Sequence, residues 1–247
     1  MRMKSPKKAL LILLGILFLL TVIILGGIKL YRVKQARQSG ILLAFDDYNV
    51  ENWSSYFDLF DQYGVKVTFF VNCTEPTDFC YEAIERGHEI GFHTTSHFKV
   101  AESTPEEIQT GVIDPIETFR EKGIELTTFA YPYGVYNEET NELLLQHYNV
   151  LRGAYYYDLH SKADLRHGFV DSYSLDNINH ASDEEFEASI TRILTELSDN
   201  VGAVASLYSH AISDGDWCVY EDRLVFLFEK ANELGLKFYT FQELQKD

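Results

Sequence analysis

Beyond residue 40 the sequence predicts an α/β fold of parallel strands joined by helical crossovers, on three observations. Apolar, β-rich runs alternate with single amphipathic helical stretches. The runs are continuously apolar, as strands buried on both faces must be. A segment of about 207 residues also lies at the lower limit for a closed barrel of such units.

The elements follow in order. Strands are predicted at 41–45 (ILLAF), 65–71 (VKVTFFV), 88–92, 126–131, 150–155, 203–208 and 236–239. Helices are predicted at 53–63, 78–86, 106–122, 138–148, 183–198 and 221–234. Thr104 with Glu107 and Ser182 with Glu185 have the spacing of capping boxes. Gly64, Gly87, Gly123 and Gly235 stand where helices stop. Pro115 should kink or split the 106–122 helix. Residues 156–180 fit no regular pattern apart from a short strand near 169–173.

Ahead of this body, residues 9–28 carry no charge. Twenty helical residues reach about 30 Å, the thickness of the bilayer hydrocarbon. The sequence therefore predicts a basic cytoplasmic tail (1–8), a retained signal-anchor helix in the lipid bilayer (9–28), a polar stalk (29–40) and an extracytoplasmic catalytic domain (41–247). Four basic side chains flank each end of the span, so only the α-amino group favours an inside N-terminus.

The chain has a net charge of −17, but residues 1–40 hold eight basic and no acidic side chains, which leaves the body at −25. Such a surface repels nucleic-acid phosphates, so no nucleic-acid partner is expected. Three cysteines do not make a disulfide framework, although Cys73 and Cys80 are near enough in sequence to pair.

In parallel α/β folds, side chains at the carboxyl ends of strands converge on one rim. The first predicted strand ends in Asp46-Asp47, where one carboxylate could ligate a metal and the other act as base. The third runs into His93-Thr94-Thr95-Ser96-His97, two imidazoles at the spacing of a metal site. The fourth ends in Tyr131-Pro132-Tyr133-Gly134, a rigid loop able to aim a backbone N–H at a developing oxyanion. A late strand ends in Leu207-Tyr208-Ser209-His210, which brings a proton donor to the same rim. Each motif has an ordinary structural reading as cap, turn or packed histidine. Four on one rim describe a hydrolytic metal site.

These motifs, in this order and spacing, resemble those of the polysaccharide deacetylases of carbohydrate esterase family 4, and the likeness covers nearly all of 41–247. The strand VTFFV and the closing segment 239–244 are also similar. The resemblance implies a distorted barrel of about seven strands and a divalent metal, usually zinc, on Asp47, His93 and His97. It further implies Asp46 as general base, His210 as general acid and the Tyr133 N–H at the oxyanion. The substrate implied is an acetylated polysaccharide, chiefly its N-acetylglucosamine units. A glycan O-acetyl esterase using the same site and a catalytically silent glycan-binding module are the alternatives.

The sequence also departs from that pattern. Ala44 and Tyr48 replace the usual Thr and Gly around the Asp pair, and Tyr48 is expected at the cleft. Ala130 stands where the family has an arginine, with Arg152 and Arg166 as possible substitutes. Ser209 replaces a leucine, which predicts a more polar acetyl pocket. No Asp-x-x-Asp-Trp motif is present, so the sequence leaves the acid's carboxylate partner unassigned, with Asp171 and Asp176 as candidates. Trp53, Tyr155–Tyr157 and Trp217 are candidates for sugar stacking.

Overall fold

A computed structural model of the protein describes residues 13–21, 38–154, 156–162 and 164–245. Residues 13–21 are helical, and the remainder of the predicted 9–28 span lies outside the described residues. No helix among the described residues is long and apolar enough to cross a membrane.

The described residues from Ser39 onward form one compact unit around a sheet of ten strands among them. The seven predicted strands appear as β1 (Gly40–Asp47), β2 (Val67–Val71), β3 (Glu89–Phe92), β4 (Thr128–Ala130), β5 (Val150–Arg152), β9 (Ala203–Ser209) and β10 (Lys237–Phe238). Between β5 and β9 lie three short strands, β6 (Leu159–Ser161), β7 (Gly168–Val170) and β8 (Tyr173–Ser174). The order is β6-β9-β1-β2-β3-β4-β5-β7, with β10 also on β1 and β8 also on β9. Every pairing is parallel except β6 with β9, a departure from the all-parallel expectation. β7 pairs with β5 and β8 with β9, and only Asp171 and Ser172 separate them. Chain continuity thus bridges the last gap, and the sheet is a nearly closed, distorted barrel.

The alternation of side chains along each strand builds two cores. On β1, Ile41, Leu43 and Phe45 face the surrounding helices, where Trp53, Phe57, Phe60, Phe69 and Phe79 pack together. Leu42 and Ala44 face the barrel interior with Phe70, Ala130, Val150 and Tyr208. Phe241 and Leu244 of the C-terminal helix (Phe241–Gln245) fill the far end. There the buried Glu89 accepts hydrogen bonds from the Thr68 and Thr128 hydroxyls and the Gln242 N–H.

Helix ends follow the predicted chemistry. Thr104 and Glu107 form a capping box, and Ser182 accepts from the Glu185 N–H. Gly64 closes its helix in the left-handed region, at φ 66°. The predicted 106–122 helix is split into Pro105–Ile108, a π turn at Gln109–Ile113, and Asp114–Glu121. All three cysteines are free thiols.

Candidate active site

The carboxyl ends of β1, β3, β4, β5 and β9 open on a pocket of about 380 Å³. Asp46, Asp47, His93, His97, Tyr133 and His210 all line it, so the fold gathers every residue predicted for the site.

Asp46 and Asp47 are chain neighbours in different surroundings. Asp46 continues the inward register of Leu42 and Ala44 and is buried. One of its carboxylate oxygens accepts from Arg152 Nη2, and the other, also buried, has no partner. Burial alone would raise its pKa, but the Arg152 charge, helped by His93 and His210, outweighs it and holds the group below the ordinary carboxylate value. Asp47 takes a backbone φ of 84°, which ends the strand and turns its carboxylate toward the two histidines. Burial and then the Asp46 charge push its pKa up. A cation beside it would relieve both effects.

His93 is fixed by donation from Nδ1 to the Ala130 carbonyl at 2.8 Å. A carbonyl only accepts, so the proton sits on Nδ1 and Nε2 keeps its lone pair. Burial pushes its pKa down to about 3, so the imidazole is neutral. Asp47 Oδ1 lies 3.6 Å from His93 Nε2 and 3.2 Å from His97 Nε2, yet forms no hydrogen bond. The ligand atoms of Asp47, His93 and His97 all lie within 4.8 Å of one another. Two imidazole nitrogens and a carboxylate oxygen converging in this way suit a divalent metal.

Tyr133 sits in a tight turn at φ 58°. The N–H groups of Gly134 and Val135 close that turn, and the N–H of Tyr133 takes no part in it. Its ring lies 4.5 Å from that of His97.

His210 follows β9, with Nδ1 3.0 Å from Asp176 Oδ2. The distance is that of an ion pair, although the ring nitrogen lies off hydrogen-bond alignment. Burial works to lower the His210 pKa, but Asp176, and then Asp46 and Asp47, outweigh it and leave the pKa raised. Asp176 is fully buried and accepts from the Ser209 hydroxyl at 2.6 Å and the Ser174 hydroxyl at 3.0 Å. The Trp53 indole N–H donates to the His210 carbonyl at 2.7 Å.

Several expectations are thereby corrected or decided. Arg152, not the exposed Arg166, reaches Asp46, and it is the register partner of Ala130 across β4 and β5. Asp176, not Asp171, faces His210. Ser209 turns away from the pocket to Asp176, so it does not make the pocket wall polar. Tyr48 bonds Thr77 and lies outside the pocket lining. Trp53 is core, whereas Trp217 is 53% exposed at the rim, 5.9 Å from the His210 ring.

Residues 34–149 match the family model described as polysaccharide deacetylase. Among known proteins, the chain is 28% identical over 125 residues to YxkH of Bacillus subtilis (strain 168), which is named for polysaccharide deacetylase. That alignment spans 47% of this chain and 44% of the relative, less than half of the relative's length. Among solved structures, the chitin deacetylase of the fungal pathogen Colletotrichum lindemuthianum aligns with 85% of this chain and 89% of its own, at 18% identity and a TM-score of 0.61. A family 4 acetyl xylan esterase from Clostridium thermocellum, solved with cobalt, aligns over 83% and 90% at 18% identity and a TM-score of 0.57. The structural matches establish the fold, that of the carbohydrate esterase family 4 deacetylases.

Proposed function

We propose that this protein, whose residues 34–149 match the polysaccharide deacetylase family model, is a metal-dependent hydrolase removing acetyl groups from an extracytoplasmic polysaccharide, chiefly from N-acetylglucosamine units. The observation that carries the reading is the divergence of the two adjacent carboxylates. Asp47 joins His93 and His97, while Asp46 is held on Arg152 with one oxygen unpartnered.

A divalent cation on Asp47, His93 and His97, zinc by its preference for such donors, would supply Lewis-acid chemistry, polarising the acetyl carbonyl and acidifying water. The remaining work falls to the chain. Asp46, kept ionised by Arg152, accepts the proton of the attacking water on its free oxygen. The Tyr133 N–H faces the charge that develops on the carbonyl oxygen. His210, protonated through Asp176, donates to the departing nitrogen as the carbon–nitrogen bond breaks.

An amine leaves far less readily than an alkoxide without that proton, so the buried support behind His210 favours amide over O-acetyl ester. Arg152 on Asp46 weighs against a silent glycan-binding module, since binding alone needs no oriented base. The acidic body should hold the amine-bearing product and repel anionic polymers. We further propose that residues 9–28 anchor the protein in the membrane with the body outside. Protease treatment of intact cells tests this, and protection of the body would contradict it.

The test of function is acetate release by the purified full-length chain from N-acetylglucosamine oligomers and acetylated esters, with chelator and after zinc is returned. Release that chelator abolishes and zinc restores supports the reading. Release indifferent to chelator, or none from folded, zinc-loaded protein, overturns it.

A further inference from the structure

Pro115 marks the point where a single predicted helix becomes three pieces. In an uninterrupted α-helix, the N–H of residue 115 would donate to the carbonyl of residue 111. Proline has no N–H, and its ring crowds that carbonyl. The backbone widens into the π turn Gln109–Ile113, and the Asp114 N–H reaches back five residues to Gln109. The Gly111 carbonyl is then free to accept the N–H of Thr95 at 3.0 Å. Thr95 lies midway between His93 and His97. The next carbonyl, that of Val112, accepts the buried Tyr148 hydroxyl at 2.8 Å, which ties the turn to the segment leading into β5.

Gly111 is also required for close approach. A Cβ there would stand 2.5 Å from the Phe98 ring and 3.3 Å from the Thr95 hydroxyl. Phe98 immediately follows His97. The loop it closes holds His97 at φ 55° and Thr94 at φ 67°, a left-handed value that a β-branched residue such as Thr94 seldom adopts and that persists only where the surroundings impose it.

We propose that the Pro115 π turn is a positioning device for the Asp47, His93 and His97 cluster, diverting the Gly111 carbonyl from its helix to the loop that carries His97. The inference rests on reading that cluster as a metal triad. Pro115 and Gly111 touch neither metal nor substrate and are positioning residues.

Zinc titration calorimetry and thermal melting of the metal-free full-length chain test it. Pro115→Ala returns an N–H that can recapture the Gly111 carbonyl and improves helix propensity. Its melting temperature should be equal to or above wild type, while zinc binding weakens roughly tenfold or more. Gly111→Ala should also weaken zinc binding by displacing Phe98, and adding Phe98→Leu should recover most of the loss. Wild type that binds no zinc would overturn the triad reading itself. Wild type that binds zinc while Pro115→Ala binds it equally well would overturn this inference alone. Should Pro115→Ala fail to fold, equal zinc affinity in wild type, Gly111→Ala and Gly111→Ala/Phe98→Leu would overturn it instead.

Discussion

Asp46 and Arg152 lie 106 residues apart in sequence and meet inside the barrel, where the guanidinium is held between the rings of Phe70 and Tyr208 and closes on the carboxylate. Both are buried, and both occupy inward positions of their strands. Removing one member of such a pair strands the other charge and typically costs about 3–5 kcal/mol. Arg152→Ala is therefore expected to lower both the melting temperature and acetate release, the latter by roughly a hundredfold. Position 130 faces the same interior, directly across from Arg152. Ala130→Arg in the Arg152→Ala background should recover at least part of the lost turnover, and no recovery in a folded double variant would count against the pairing as a transferable orienting device.

Asp176 supports His210 from a fully buried, doubly hydrogen-bonded position. Asp176→Asn removes the charge that raises the His210 pKa against its burial. Turnover of an N-acetyl substrate should fall by roughly a hundredfold and that of a phenyl acetate ester by much less. Equal losses on both would assign Asp176 a merely structural part.

Trp217 offers an exposed indole beside His210 at the pocket rim. Stacking on a sugar face should contribute mainly to binding, so Trp217→Ala is expected to raise KM roughly tenfold with kcat nearly unchanged. A fall in kcat with unchanged KM would place the ring in the chemistry.

His88 sits away from the site, stacked on Phe57, with Nδ1 accepting the Val67 N–H at 3.3 Å. Burial, with the Lys66 charge adding, pushes its pKa down to about 4. Unfolded, the group titrates near 6.5, so between the two values only the unfolded chain binds the proton. Stability is fully present above about 6.5 and should fall by up to about 3 kcal/mol as pH drops toward 4. His88→Asn keeps an acceptor for Val67 without the titration and should flatten that decline. Parallel pH–stability curves for wild type and variant would contradict it.

How far these features were legible in the sequence follows from whether their causes are local. The seven predicted strands declared themselves as apolar runs, and Pro115 announced the helix break, because burial and the missing N–H are written into single segments. β6 escaped because Leu159–Ser161 is half exposed, carries no alternation and owes its conformation to the edge of β9. The rim motifs were visible as motifs. Their partners were not, since nothing local distinguishes Arg152 from Arg166 or Asp176 from Asp171. A signal existed for Arg152: pairing β4 with β5 sets it opposite Ala130, the position that lacks the arginine. For Asp176, the decisive contacts come from Ser174 and Ser209, which only the β8–β9 pairing brings together.

On the proposed mechanism the adjacent carboxylates divide the work, Asp47 for the metal and Asp46 for the proton. Zinc stoichiometry and acetate release, measured side by side on full-length Asp46→Asn and Asp47→Asn, test it most directly. Asp46→Asn should hold one zinc per chain and release almost no acetate, whereas Asp47→Asn should lose both. Full turnover in Asp46→Asn, or zinc retained at wild-type affinity in Asp47→Asn, would overturn that division of roles.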